Sequence, residues 1–340
     1  SCAFAEIFRY LLTLQKLMLP TVSVALCTHN GAAFLEQQLN SIALQSRLPD
    51  ECIISDDCSE DETLPIAKRF QAKAGFPVHI FQNPQRLGIA GNFDRASSQC
   101  RSSLIFLSDQ DDLWLPDRIA HTLQRFAQDP ELTLLHADAK LIDEKGQMLG
   151  LSLFQALELS EQERALQDAG QTFKVLLRRN IITGATTAFK RDLLHIASPF
   201  PSCCVHDEWL GLMASASGKV ARLDEPLIAY RQHENNQFGA QQRSVSEKII
   251  KAFSTTRLYY ETVLQRAEAL HQRLLAFESE ISALNIQLAK EKLIHMSYRA
   301  NLPAKRLKRI LPIGAEMSTG RYWRYSTGWQ SVVRDLCFTP

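Results

Sequence analysis

The residues best placed to do chemistry are Ser108-Asp109-Gln110-Asp111-Asp112, which follow the apolar run Leu104-Ile105-Phe106-Leu107 and precede Leu113-Trp114. A hydrophobic strand that ends in three closely spaced carboxylates delivers hard oxygen ligands to one point. Such ligands can hold Mg²⁺ or Mn²⁺ against substrate phosphates. A single Asp-x-Asp triplet also fits a solvated acidic turn after a buried strand, so the elements around it must decide.

Those elements form a series of apolar runs, each followed by a polar break and a stretch of helical period, which is how parallel βαβ units read. The first run, Val22 to Cys27, ends at Thr28-His29-Asn30-Gly31 and is followed by Phe34, Leu35, Gln38, Leu39 and Ile42 at helical spacing. The second, Cys52 to Ser55, ends at Asp56-Asp57-Cys58-Ser59, with a helix expected from Asp61-Glu62-Thr63 through Phe70. The third, Val78 to Phe81, runs into Asn83-Pro84 and Gly88, with a helix expected from near Asn92. The fourth carries the acidic cluster. Ligands of open parallel sheets bind beyond the carboxyl ends of the strands, so Asn30, Asp57 and Asp111 are expected as neighbours in one crevice.

Taken in order, these pieces resemble the inverting family 2 glycosyltransferases of the GT-A fold, and among them the rhamnosyltransferase-like branch that builds bacterial surface polysaccharides such as O-antigen. The resemblance rests on Cys27-Thr28-His29-Asn30-Gly31, Ser55-Asp56-Asp57-Cys58-Ser59, Asn83 through Gly88, the cluster Ser108 to Trp114, His206-Asp207-Glu208-Trp209 and Tyr230-Arg231-Gln232-His233. It spans Val22 to about Asn236. Two positions depart from the family pattern, which usually has Tyr where His29 stands and Gly where Cys58 stands.

The resemblance implies an α/β fold: a GT-A, Rossmann-like, mostly parallel mixed sheet flanked by helices. It assigns Thr28, Asn30, Asp56, Asp57, Arg86, Asp109, Gly184 and Arg231 to the nucleotide sugar. A carboxylate at Asp57 suits the N3 imide N–H of uracil or thymine, while one of Asp56 and Asp57 could equally cap the following helix. Asp109, Asp111 and His233 are implied as the metal set for Mn²⁺ or Mg²⁺. Asp207, at the start of an apolar helical segment, is implied as the general base, with Glu208 the fallback; its bland role is a carboxylate at a helix N-terminus. Ile182-Thr183-Gly184-Ala185 is implied as the pocket floor.

The chain has 340 residues, 45% of them hydrophobic and 22% charged, with net charge +1 and eight scattered cysteines. That is globular usage with no general basic field for nucleic acid, and the simplest account of the thiols is a reduced cytoplasmic set. The apolar N-terminal stretch is broken by Glu6, Arg9 and Lys16, too short a run to span a membrane. Residues 1–20 read as an N-terminal extension, 21–239 as the catalytic domain and 240–340 as a helical, basic and aromatic C-terminal region. Within the last, residues 245–296 carry helical periodicity without a strict heptad and suggest an α-hairpin or a long packed helix. Arg299, Lys305, Arg306, Lys308 and Arg309 interleave with Leu302, Leu307, Ile310 and Leu311, and then come Tyr322, Trp323, Tyr325 and Trp329. This pattern fits either a helix on an anionic membrane surface or a basic face on a helix packed against the core.

Competing readings lack their signatures. A haloacid-dehalogenase-like phosphatase places its Asp-x-Asp on the first strand, a sugar nucleotidyltransferase needs a Gly-rich basic loop there, and a dinucleotide dehydrogenase needs G-x-G-x-x-G. A non-catalytic nucleotide-sugar-binding subunit of a glycan assembly complex is the different-class alternative. The reading is a metal-dependent inverting transferase using a dTDP or UDP sugar, with dTDP-L-rhamnose the leading donor. Its acceptor is a growing glycan or lipid-linked glycan, met in the cytoplasm or at the inner membrane face.

Overall fold

The computed structural model describes residues 20–233 and 256–338. The expected N-terminal extension before residue 20 and the domain boundary at 239–240 lie outside the described residues. The strands are β1 (Val22–Thr28), β2 (Glu51–Asp56), β3 (Val78–Gln82), β4 (Leu104–Ser108), β5 (Leu113–Trp114), β6 (Leu132–Ile142), β7 (Met148–Ser152), β8 (Thr187–Lys190) and β9 (Lys219–Arg231). They form one sheet in the order β3-β2-β1-β4-β8-β6-β9-β5, with β7 paired to β6.

The first four long strands are parallel. β1, β2 and β4 are buried along their whole length, so covering on both faces accounts for their nearly continuous apolar runs. The helices Leu35–Ala43, Thr63–Gln71 and Gly88–Gln99 supply the crossovers; the first buries Leu35, Gln38, Leu39 and Ile42 along one stripe. The third opens at Gly88 rather than near Asn92, because Gly88 takes φ +73° and turns the chain into the helix.

Register sets the site. Thr28 pairs with Asp56, and Leu26 with Ser108, so the carboxyl ends of β1, β2 and β4 finish at one sheet edge. The other half of the sheet is mixed: β8 runs antiparallel to both β4 and β6, β9 parallel to β6, and β5 antiparallel to β9. Pairing of Leu113 with Ala229 brings the end of β9 beside the acidic cluster.

An α-hairpin, Arg257–Ala276 and Ala283–Ala300, follows, then shorter helices at Ile310–Ser318, Arg321–Tyr325 and Trp329–Cys337. The hairpin's Leu270, Leu274, Ile281 and Ala289 belong to the catalytic core, while Tyr260, Leu302, Ile313, Tyr322, Val332 and Phe338 close a second one. The seven cysteines among the described residues are free. No described helix is long and apolar enough to cross a membrane.

Candidate active site

A cleft of about 850 Å³ opens at the strand ends and is lined by Thr28, Asn30, Asp57, Arg86, Asp109, Asp111, Gly184, Asp207 and His233, among others. Nine of the sequence-derived site residues therefore share one cavity. Two do not reach it. Asp56 is fully buried. Its Oδ1 accepts from Thr28 Oγ1 at 2.8 Å and its Oδ2 from Ser59 N at 2.9 Å, so it closes the turn after β2 and does not line the cleft. Arg231, also buried, donates through Nε to Asp111 O at 2.8 Å, through Nη1 to Glu144 O at 2.9 Å and through Nη2 to Gln37 Oε1 at 3.0 Å. It braces the acidic loop from behind, with its guanidinium over the Phe34 ring at 4.7 Å.

Asp57 faces the cleft with its carboxylate held by Asn83 Nδ2 at 2.8 Å and by the backbone N–H groups of Leu87 and Gly88 at 2.7 and 3.0 Å. Arg86, half exposed, stands 3.9 Å away. Asn30 and Cys58 both adopt positive φ, +49° and +61°. The left-handed turn at 58 is the physical reason for the Gly usual in the family at that position. Cys58 accepts the conformation and donates from Sγ to Asn83 O at 3.2 Å.

The acidic loop divides by side chain. Asp112 turns inward, where Oδ1 accepts from Arg231 N at 2.9 Å. Gln110 bridges to the end of β1, accepting from His29 N at 2.8 Å and donating to His29 O at 3.1 Å. That leaves Asp109 and Asp111 on the cleft. Burial, with Asp111 and Asp207 facing it, pushes the Asp109 carboxyl up to about 8. His233 Nε2 lies 2.8 Å from Asp111 Oδ2, its ring stacked against Phe34 at 5.1 Å.

Among the described residues, no group of three or more His, Cys, Asp or Glu side chains is gathered closely enough to hold a metal ion. Asp109, Asp111 and His233 all line the cleft, and only His233 and Asp111 are in direct contact. Carboxylate and imidazole are the donor types that suit a divalent ion shared with substrate phosphates, so the expected set matches in chemistry but not as a preformed three-ligand group.

Asp207 also lines the cleft, from the first turn of the helix His206–Ser217. Its Oδ2 accepts from Gly184 N at 3.0 Å, its Oδ1 from Asn180 Nδ2 at 3.1 Å and from Glu208 N at 2.6 Å. Burial raises the carboxyl to about 6, against the lowering pull of those three donors and of Arg266. Glu208 is engaged by Arg266 Nη1 at 3.0 Å. Trp209 lies in the core and donates from Nε1 to Ala197 O at 2.8 Å.

Gln110, Asn180, His206 and Arg266 are members of the site that sequence reading passed over. His206 had a signal, its place beside Asp207 in the late motif. Burial holds it near 3, hence neutral, with its ring stacked on Phe93 at 3.9 Å. Arg266 had none, since it arrives from a helix beyond residue 256.

The model for "Glycosyl transferase family 2" matches residues 23–194, just over half of the chain. The dTDP-rhamnosyl transferase RfbG of Shigella flexneri is 26% identical over 227 residues, 63% of this chain and 74% of that protein. The Bacillus subtilis protein named putative glycosyltransferase EpsE is 33% identical over 100 residues, 29% of this chain and 36% of its own. Among solved structures, Staphylococcus aureus TarS 1–349 in complex with UDP-GlcNAc superposes with TM-score 0.53 at 16% identity, covering 93% of this chain and 90% of TarS 1–349. The mannosyltransferase PcManGT of Pyrobaculum calidifontis, in complex with GDP-Man and Mn²⁺, gives 0.51 at 17%, covering 94% and 85%. The fold is that of these GT-A enzymes, and the chain belongs to glycosyl transferase family 2.

Proposed function

We propose that the protein is an inverting, metal-dependent glycosyltransferase that moves a sugar from a dTDP or UDP donor to a hydroxyl of a growing cell-surface or lipid-linked glycan. The observation that carries this reading is the shared cleft, which Asp57, Asp109, Asp111, His233 and Asp207 all line. Asp57 accepts the imide N–H of the base, and Thr28, Asn30 and Arg86 line the nucleotide end. Asp109, Asp111 and His233 would hold Mn²⁺ or Mg²⁺, which would supply Lewis-acid compensation of the diphosphate charge.

Asp207 takes the proton of the acceptor hydroxyl as its oxygen bonds to the anomeric carbon. The bond to the diphosphate oxygen breaks with its electron pair, and the nucleoside diphosphate departs from the opposite face, so configuration inverts. The three N–H donors on Asp207 fix its orientation for that transfer.

Similarity to a dTDP-rhamnosyl transferase makes dTDP-L-rhamnose the leading donor. The structural neighbours are complexes with UDP-GlcNAc and with GDP-Man, so the fold itself does not choose the sugar. In this reading the acceptor is met at the inner face of the cell membrane.

The test is a thermal-shift panel of dTDP-rhamnose, UDP-glucose, UDP-N-acetylglucosamine and GDP-mannose, each with Mn²⁺ and with chelator. A Mn²⁺-dependent shift with one donor, followed by release of nucleoside diphosphate that Asp207→Asn abolishes, is expected. A donor shift without any turnover in the native protein would instead favour a non-catalytic binding subunit.

A further inference from the structure

The helix Ile310–Ser318 is built inside out. Ile313 and Glu316 face the interior, whereas Ile310, Leu311, Gly314, Ala315 and Ser318 are exposed. That spacing is one face of a helix, and it is uncharged, in the place where a helix on a water-facing surface normally carries its polar residues. Leu311 is 84% exposed, and Leu307, in the preceding 3₁₀ turn Arg306–Arg309, is 83% exposed. No other large hydrophobic side chain among the described residues is as exposed.

Cations frame this strip. Lys305, Arg306 and Lys308 are exposed around Leu307, while Arg309 turns in to Pro303 O, Ala304 O and Phe338 O. Between Arg299 and Cys337 the chain has eight Lys and Arg against two acids, Glu316 and Asp335. Both acids are buried and paired, Glu316 with His295 and Arg321 and Asp335 with Arg299. The surface of this segment therefore presents no carboxylate.

We infer that Leu307, Ile310 and Leu311, flanked by Lys305, Arg306 and Lys308, form a docking strip that inserts into the headgroup region of an anionic lipid bilayer. Apolar side chains standing in solvent within a field of one sign fit a lipid surface, where tails receive the leucines and phosphates receive the lysines. The strip deepens the membrane-face part of the functional reading and stands on surface chemistry alone.

The test uses the full chain without donor, so that its failure leaves the transfer reading intact. The protein is sedimented with vesicles of phosphatidylcholine containing about one-third phosphatidylglycerol, and with phosphatidylcholine alone. Expected are co-sedimentation with the anionic vesicles, a loss of about tenfold in partitioning for Leu307→Ser/Leu311→Ser, and a similar loss for Lys305→Gln/Lys308→Gln. The far-UV spectrum and thermal midpoint should not change, since these side chains are exposed. Equal binding by the leucine variant, or no binding by the native protein, overturns the proposal. Light scattering that finds a dimer lost in the leucine variant, with no vesicle binding, overturns it in favour of a contact between copies.

Discussion

Asp207 concentrates the functional argument in one side chain. Its folded carboxyl stands near 6 because burial outweighs the stabilising N–H groups of Gly184 and Glu208 and the amide of Asn180. A base acts only when deprotonated, so transfer should rise with pH through an apparent pKa near 6 and level off above it; a flat profile from pH 5 to 8 at saturating donor would count against Asp207. The sign for stability is opposite. A carboxyl raised above its unfolded value holds its proton more tightly in the fold, so its contribution is present at low pH and is lost as pH rises through about 6. Asp207→Asn should lower turnover by roughly 10²- to 10⁴-fold while leaving donor affinity within about twofold, measured by donor titration and nucleoside diphosphate release. Residue roles were only partly legible. Spacing along the chain locates a residue at the end of a strand but does not give the direction of its side chain. Asp57 and Asp56 are adjacent, yet one faces the cleft and the other closes a turn with Thr28 and Ser59.

At the scale of elements, the site depends on loops pinned to one another. Gln110 ties the acidic loop to the backbone of His29, and its side chain fills the space where a Cβ on Gly31 would fall, 2.1 Å from Gln110 Oε1. Gln110→Ala removes both bonds at about 0.5–1.5 kcal/mol each, so donor KM should rise roughly tenfold, with a single cooperative unfolding transition retained. An unchanged KM would show that the loop holds its shape without the bridge. Gly184 is nearly as tight, against a less yielding neighbour. A Cβ there would meet His206 Nε2 at 2.3 Å, and His206 is buried with its ring stacked on Phe93 at 3.9 Å, so it has no room to yield. Gly184→Ala should cost about 1–3 kcal/mol in urea denaturation. It should also cut turnover by displacing the N–H that holds Asp207. The parallel strands were readable because burial on both faces leaves long apolar runs, as in β1 and β4. The pairings of the mixed half were not readable because some, such as Leu113 with Ala229, join segments more than a hundred residues apart. No local period records a pairing of that range.

Across the whole molecule, the C-terminal helices are joined to the catalytic core through polar contacts as well as apolar ones. Arg273 donates to the carbonyls of Ile196 and Ala197 at 2.7 Å and of Pro199 at 2.8 Å; Arg266 donates to Cys203 O at 2.7 Å and to Glu208 beside the base. The basic run read as one surface divides here. Arg299 and Arg309 are buried, and Lys305, Arg306 and Lys308 remain outside. Arg299 meets Asp335 through two bonds, 2.7 and 2.8 Å, and the same carboxylate accepts from Tyr260 and Tyr322 at 2.8 and 2.6 Å. Four segments of the C-terminal region thus converge on one buried anion. Asp335→Ala leaves the Arg299 cation without that partner in a closed core and strips two phenols of their acceptor, a loss of about 3–5 kcal/mol. Because Leu270, Leu274 and Ile281 belong to the catalytic core, the weakened helices should not melt alone. Urea denaturation followed by both tryptophan fluorescence and far-UV dichroism should give one coincident transition at lower urea. Two separated transitions would mean that the helical region folds independently and that Arg266 reaches the active site from a separable domain.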